Sequence, residues 1–241
     1  MDKVETELAA AWVRGWVVSR GTPRPVPTEW GLRVDVGQPR QVVRHVVFEP
    51  GEAVVRSLAA AVSEPATWLK TFVEPEDVRP FLTPAWRDDA PGWIMAVDLS
   101  PSDVRLPDGY TAATGTADGV TRVRILAADG SLAAAGQYGH AGHGNSDNRD
   151  NRDNRDNNAG HDSRHSHHSP NGATVTIDQI STDPAHQRKG LGSAVMRTLQ
   201  NEAFAAGAHS AVLGATIEGR ALYESLGWKV HLPLAGFVFE G

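Results

Sequence analysis

The chain has 241 residues, and 40% of them are hydrophobic, enough to fill one large or two small domains. The formal net charge is −6 and no block of Lys or Arg occurs, so nothing favours nucleic acid as a partner. No cysteine is present, which excludes disulfides, thiolate metal sites and a cysteine nucleophile. The acidic start from Met1 to Glu7 is no signal peptide, and no apolar run is long enough to span a membrane. We therefore expect a cytoplasmic protein that does not bind membranes.

The amino-terminal part of the chain predicts an α/β region over residues 1–100. Val4, Leu8, Trp12 and Trp16 recur every four residues, which is typical of the apolar stripe of a helix. Residues 42–99 then read as strand, helix, strand, helix and strand. The same order of elements is predicted for residues 173–239, so the two parts could share one architecture.

A β-meander is predicted after Gly109. Its strands are Tyr110 to Gly115, Val120 to Ala127 and Leu132 to His140. The dipeptides between them, Asp-Gly in both cases, are typical of tight hairpin turns.

Residues 144–172 form a low-complexity segment with three tandem Asn-Arg-Asp triplets and almost no apolar residue. Such a composition cannot bury a core, so we expect a disordered insertion between two neighbouring strands. Histidines in and before it could bind Zn²⁺ or Ni²⁺ adventitiously, but no acidic or cysteine partner has the spacing of a structural site. We therefore expect no required metal. These histidines are His140, His143, His161, His165, His167 and His168.

The run from Ala173 to Thr182 is rich in β-branched residues and predicts a strand. Val175 and Ile177 share one parity, but the next apolar residue is Ile180, so the alternation slips between them. A β-bulge explains the slip, and bulges are frequent beside active sites. A strand buried on both faces is the alternative, because alternation carries little information there.

A glycine-containing loop, Gln187 to Ser193, lies between this strand and a strongly amphipathic helix. Gly190 and Gly192 have no Cβ, so a bulky anion can approach the main chain, while the unpaired amides and the dipole of the helix start favour negative charge. The loop lacks the Gly-Lys-Ser/Thr of a Walker P-loop, and Val195 stands where a dinucleotide fingerprint needs a small residue. The pattern indicates a diphosphate site of another kind.

This loop resembles the Gln/Arg-x-x-Gly-x-Gly/Ala loop of the GNAT superfamily of N-acetyltransferases, which holds the pyrophosphate of acetyl-CoA. A second motif follows at the corresponding place, since Ala221 to Trp228 reads Ala-Leu-Tyr-Glu-Ser-Leu-Gly-Trp. The resemblance covers roughly Gly109 to Gly241 and is specific from Ile177 to Trp228. It implies an acetyltransferase domain at residues 101–241, of class α/β (α+β), with a mixed, centrally splayed sheet flanked by helices.

The resemblance also implies a function. Acetyl-CoA would be the co-substrate, and its acetyl group would pass directly to a primary amine of a small molecule or peptide. The alternative is a non-catalytic acyl-CoA-binding regulatory module. The two helices that usually shape the acceptor pocket are missing, because only Thr116 to Gly119 separates the first two strands, so we expect the amino-terminal region to build that pocket. A homodimer is also compatible with this expectation.

Site residues follow from the same resemblance. Main-chain groups of Ile180, Ser181 and Thr182 would bind pantetheine. Tyr223 resembles the general acid of the family, since a phenol with a pKa of about 10 keeps its proton at pH 7; its alternative role is packing. Because transfer to an amine needs a proton acceptor, Asp178 is the nearest acidic candidate for the base, with a water chain as the other route; a solvent-facing or turn-bonding Asp is the alternative. The pyrophosphate would be held by Arg188, Gly190, Leu191, Gly192 and Ser193, assisted by Gln187 and Lys189.

Two interpretations of residues 1–100 are left open. The region is either a degenerate copy of the acetyltransferase half or an unrelated α/β cap over the substrate. At the position of the cofactor loop stand Glu49 and Glu52, whose charges would repel a diphosphate, so a copy would have lost that loop.

Overall fold

The computed structural model describes residues 1–140 and 173–241 and shows a mixed α/β protein, as the sequence predicts. The helices are α1 (Lys3–Arg20), α2 (Glu52–Ala61), α3 (Pro75–Val78), α4 (Leu191–Ala205) and α5 (Ile217–Ser225), with 3₁₀ turns at Arg79–Phe81 and Pro184–His186. The first six strands are β1 (Val26–Thr28), β2 (Gly31–Gln38), β3 (Gln41–Val47), β4 (Thr67–Thr71), β5 (Trp86–Asp88) and β6 (Gly92–Asp98). The others are β7 (Tyr110–Ala117), β8 (Val120–Ala127), β9 (Leu132–His140), β10 (Ala173–Thr182), β11 (Ala208–Ala215) and β12 (Lys229–Phe239).

The strands of the described residues form one mixed sheet in the order β1-β2-β3-β4-β12-β6-β11-β10-β9-β8-β7, with β5 also paired to β12. Helices α4 and α5 cover one face of the sheet, where Val175 and Ile177 of β10 are buried. Helix α1 covers the other face, where it packs with Val34 of β2 and Val212 of β11. Helix α1 therefore contacts strands from both halves of the sheet.

Two halves of the chain use the same succession of elements. In the first, β3 and β4 are parallel and flank α2; in the second, β10 and β11 are parallel and flank α4. The last strand of each half pairs with a strand of the other half. Strand β6 pairs with β11, and β12 pairs with β4. Strands β6 and β12 also pair with each other at the centre of the sheet. Each half is therefore completed by a strand of the other.

Strands β10 and β11, the parallel pair of the second half, are hydrogen-bonded to each other along only part of their length. Strand β10 pairs with β11 only from Ala173 to Thr176, whereas β3 and β4 pair over all of Val43 to Val47. On its other edge β10 has a bulge, since Asp178 faces Gln137 but Ser181 already faces Ala135. The extra residue, Gln179, has a φ of 56°. This confirms the predicted bulge and the central splay of the sheet.

Helix α1 begins with a capping box between Asp2 and Glu5 and ends at Gly21, which is left-handed. Trp12 and Trp16 are buried, as the predicted stripe requires. Val4 is 67% exposed, so the prediction was wrong for this position, which lies in the first turn of the helix.

The meander follows the prediction closely. Asp118 and Gly119 both have positive φ, which fits a tight hairpin turn between β7 and β8. The sequence did not predict strands β1 and β5, because three residues are too few to show the alternation of apolar and polar residues that is typical of a strand. The predicted insertion at residues 144–172 lies outside the described residues, but its flanking strands β9 and β10 are neighbours in the sheet.

Two glycines allow α1 to lie directly on the sheet. A Cβ on Gly15 would come within 2.2 Å of Thr176 Oγ1, and a Cβ on Gly139 would come within 2.3 Å of the Gly15 carbonyl oxygen. The hydroxyl of Thr176 is itself fixed by the Ala11 carbonyl, 3.1 Å away. Neither side of this contact has space for another methyl group.

We expect Gly15→Val to lower the free energy of unfolding by about 1–3 kcal/mol or more, because overpacking would force α1 away from the sheet. The matched control is Gly115→Val in the edge strand β7, where nothing lies within 4 Å of the position that a Cβ would take. Urea denaturation of both variants measures the difference. Equal stability of the two variants would contradict the close contact.

Candidate active site

A cleft of about 680 Å³ lies where β10 and β11 diverge. Strand β10 lines it from Ile177 to Thr182, and β11 contributes Leu213 and Gly214. The cleft exists because the bulge turns β10 away from its parallel neighbour. Main-chain groups on the facing edges of both strands are left without a strand partner and are available to a ligand.

The glycine loop closes one end of this cleft. Gly190, with a φ of 78°, is the N-cap of α4, and no side chain caps the helix there. Its first-turn amides therefore point outward without intrahelical partners. A Cβ on Gly192 would lie 3.1 Å from Leu222 Cδ2 and 3.9 Å from Thr182 Oγ1, which would narrow the cleft. The loop thus forms a cradle of main-chain donors at the positive end of a helix dipole.

The two polar side chains expected to assist the loop behave differently. Gln187 lines the cleft, with its Nε2 3.5 Å from the Thr182 carbonyl oxygen. Lys189 does not line it; its Nζ donates to the Tyr110 hydroxyl at 3.1 Å. That hydroxyl also lies 2.9 Å from His186 Nδ1. Lys189 therefore braces the outer side of the loop.

Tyr223 lies in α5 and lines the cleft, with only 9% of its surface exposed. Burial, followed by the negative charge of Asp178, raises the pKa of Tyr223 to about 12. Its ring fits over Gly219, because a Cβ there would lie 2.9 Å from the ring. Thr216 caps the helix by accepting from the Gly219 amide at 3.2 Å. The phenol is therefore fixed in place and protonated at neutral pH.

Asp178 immediately precedes the bulge residue in the chain, and side chains of α1 form hydrogen bonds with its carboxylate. Arg20 donates from Nε to Oδ2 at 2.5 Å and from Nη2 to Oδ1 at 2.9 Å. Ser19 Oγ donates to Oδ2 at 3.1 Å and accepts from Gln137 Nε2 at 2.8 Å. Arg20 also lines the cleft. Sequence reasoning missed Arg20, because it stands 158 positions before its partner and no local pattern connects them.

One cleft thus brings together every residue expected at the site apart from Lys189. The described residues contain no group of three or more His, Asp or Glu side chains placed to hold a metal ion. The histidines of the insertion lie outside residues 1–140 and 173–241. None of the helices in these two ranges is long and apolar enough to cross a bilayer.

Comparison with protein families matches residues 139–228 to the acetyltransferase (GNAT) family. The matched range contains the bulged strand, the glycine loop and Tyr223. No curated protein matches the sequence.

Solved structures share the fold along almost the whole chain. A GCN5-related N-acetyltransferase from Kribbella flavida has a TM-score of 0.62 at 17% identity, covering 99% of this chain and 96% of its own. A putative GNAT-family acetyltransferase from Novosphingobium aromaticivorans has a TM-score of 0.53 at 17% identity, covering 95% and 97%. A GCN5-related N-acetyltransferase from Sphaerobacter thermophilus has a TM-score of 0.52 at 11% identity, covering 87% and 77%. The match to the acetyltransferase (GNAT) family thus covers residues 139–228, and the chain shares the fold of these acetyltransferases along almost its whole length.

Proposed function

We propose that the protein transfers the acetyl group of acetyl-CoA directly to a primary amine of a small molecule or peptide. The observation that carries this proposal is the cleft itself, in which an anion cradle and a buried, protonated phenol face one ligand-sized space. A protonated amine must lose a proton before it can accept the acetyl group, so the reaction needs a base. Asp178 lies in the same cleft.

The residues of the cleft fit acetyl-CoA. The amides from Arg188 to Ser193 are proposed to hold its pyrophosphate, with Gln187 assisting from the cleft wall and Lys189 supporting the loop. The main chain of Ile180, Ser181 and Thr182 is proposed to pair with the pantetheine arm, because the splay leaves that edge of β10 without a strand partner. The space left by Gly192 supports this fit.

When bound, acetyl-CoA supplies an activated thioester. Tyr223, which is 9% exposed, would contribute the proton of its hydroxyl. A phenol with a pKa of about 12 donates readily only to a strong base, and a departing thiolate is such a base when it too is desolvated. We propose Tyr223 as the general acid.

Asp178 is proposed as the general base. A free alkylamine with a pKa of about 10.4 needs roughly 4–5 kcal/mol to be neutral at pH 7, so transfer gains from a proton acceptor. The Asp178 side chain is 15% exposed and both its oxygens accept from Arg20. Its carboxylate is therefore fixed in orientation at the cleft.

Residues 1–100 are proposed to be a second half of the same architecture that has lost the cofactor cleft, with residues 101–241 as the acetyltransferase domain. The exchanged strands β6 and β12 support this, as does the full pairing of β3 with β4. The first half also has a role as a substrate cap, because α1 brings Arg20 to the cleft.

The cradle is tested by Ser193→Asp. Aspartate in the first turn favours the helix by about 0.3–1 kcal/mol, so folding is preserved. A negative charge beside a diphosphate costs about 1–4 kcal/mol, so the Kd for CoA should rise about tenfold or more. Calorimetric titration measures it, with Ser193→Asn as the neutral control of equal size. Unchanged affinity in the aspartate variant would move the cofactor elsewhere.

Tyr223→Phe keeps the ring and removes the proton. We expect kcat to fall about 100- to 10,000-fold while the Kd for CoA changes little. Because the phenol loses its proton only near its raised pKa of about 12, wild-type turnover should not decline for this reason up to about pH 10. Steady-state kinetics beside calorimetry separate the two effects. A variant with normal kcat would remove Tyr223 from the mechanism.

Asp178→Asn tests the base. If the carboxylate accepts the proton of the ammonium, the deficit of the variant in kcat/KM should shrink as the pH approaches about 10.4, where the amine is already neutral. The measurement is a pH profile of kcat/KM for both proteins. A deficit that is constant with pH would instead assign Asp178 to holding Arg20.

A further inference from the structure

A cluster of charged side chains lies beside the carboxy-terminal end of α1. It contains three cations and two carboxylates, Arg20, Arg44, Lys70, Asp89 and Asp178. Arg20 pairs with Asp178 at 2.5 Å, and Lys70 pairs with Asp89 at 2.7 Å. Both carboxylates are thus already engaged, and one positive charge is left over.

Arg44 is the cation without a carboxylate. It lies in β3, is only 8% exposed, and its Nε has no hydrogen-bond partner in the part of the chain that the structure describes. Its guanidinium carbon lies 3.8 Å from the centre of the Trp16 ring. Stacking on an indole orients a guanidinium but uses none of its five N–H donors. A buried charge with free donors is costly unless an anion completes it.

The end of α1 does not supply that anion. Its last carbonyl oxygens carry partial negative charge, but those of Val17 and Val18 accept from the amides of Thr22 and Gly21. The carbonyl oxygen of Ser19 accepts from the side chain of Gln137 at 2.6 Å. These contacts leave Arg44 without a compensating group from the helix.

Arg44 also stays charged at neutral pH. Burial, and then the nearby charge of Arg20, lowers its pKa to about 9, while the charges of Asp178 and Asp89 act in the opposite direction. The guanidinium of Arg20, which lines the cleft, lies 5.8 Å from the same Trp16 ring. Arg44 and the cleft residue Arg20 therefore lie beside the same indole ring.

We propose that Arg44 binds an oxyanion of the acceptor, so that the acceptor is an amine carrying a carboxylate or phosphate group. This inference rests on the proposed transfer to an amine and names the class of that amine. The ammonium end of such a zwitterion would lose its proton to Asp178 in the cleft, and Arg44, whose charge lies near Asp178, would attract its acidic end. The free donors of a guanidinium match both oxygens of a carboxylate or phosphate.

The test compares charged acceptors with neutral ones. Amino acids with one to five methylenes between amine and carboxylate are assayed with acetyl-CoA, each beside its own carboxamide, and thiol release is recorded. Aminoalkyl phosphonates of the same lengths distinguish a phosphate-type group from a carboxylate. We expect one spacing at which the acid exceeds its amide in kcat/KM by about 10- to 100-fold, the range of a charge-assisted hydrogen bond.

Arg44→Met should reduce this ratio to about one, and Arg44→Lys should leave an intermediate ratio. The matched control is Arg33→Met on the neighbouring strand β2, whose side chain pairs with Asp35 and which faces away from α1. The melting temperature of ligand-free Arg44→Met should equal or exceed that of wild type, because a buried charge is removed. A marked fall would assign Arg44 to the fold instead and overturn the proposal.

Failure of this inference differs from failure of the proposed function. Wild type that acetylates acids and amides equally well keeps the function and overturns the anion site, as does an Arg44→Met variant that retains the preference. Wild type that releases no thiol but is stabilised against heat by an amino acid, with the stabilisation lost in Arg44→Met, supports the anion site and contradicts amine transfer. Absence of both turnover and stabilisation overturns the two together.

Discussion

The site depends on one break in the hydrogen bonding of the sheet. Beyond Thr176 and Val212, β10 and β11 no longer pair, and the bulge at Gln179 directs β10 outward. A positive φ at a residue other than glycine costs free energy, and the surrounding sheet imposes it. The break opens the cleft and places the glycine loop at its end. It also leaves Asp178 at the cleft, where Arg20 of α1 pairs with it.

The sequence predicts this part of the molecule well because its signals are local. Slipped parity from Val175 to Ile180 revealed the bulge, and glycines before an amphipathic run revealed the helix start. Tyr223 was found from its neighbours in the chain. Each of these features depends on residues close to one another in sequence, where period and turn chemistry are readable.

Other parts of the site depend on contacts that no local pattern reports. Arg20 has a conventional position in the last turn of α1, and only the packing of α1 on β10 brings it to Asp178. Arg44 reads as one polar residue in a β-branched run, and its burial follows from Trp16, a residue of another element. Lys189 was expected to assist at the pyrophosphate, but its Nζ donates to the Tyr110 hydroxyl instead. The order of the strands was likewise hidden, since β6 and β12 both pair outside their own halves.

The exchange of β6 and β12 has a consequence for the order in which the molecule forms during synthesis. The partner of β4 in the sheet is β12, which is the last strand to be synthesised. One edge of β4 therefore has no partner while more than half of the chain is still being translated. Strand β6 must also wait for β11 before it has a neighbour on that side. Long-range pairing of this kind slows folding and leaves strand edges open to other chains. The nascent protein would thus be most prone to aggregation just before its last strand leaves the ribosome, and both halves should then become ordered in one cooperative step.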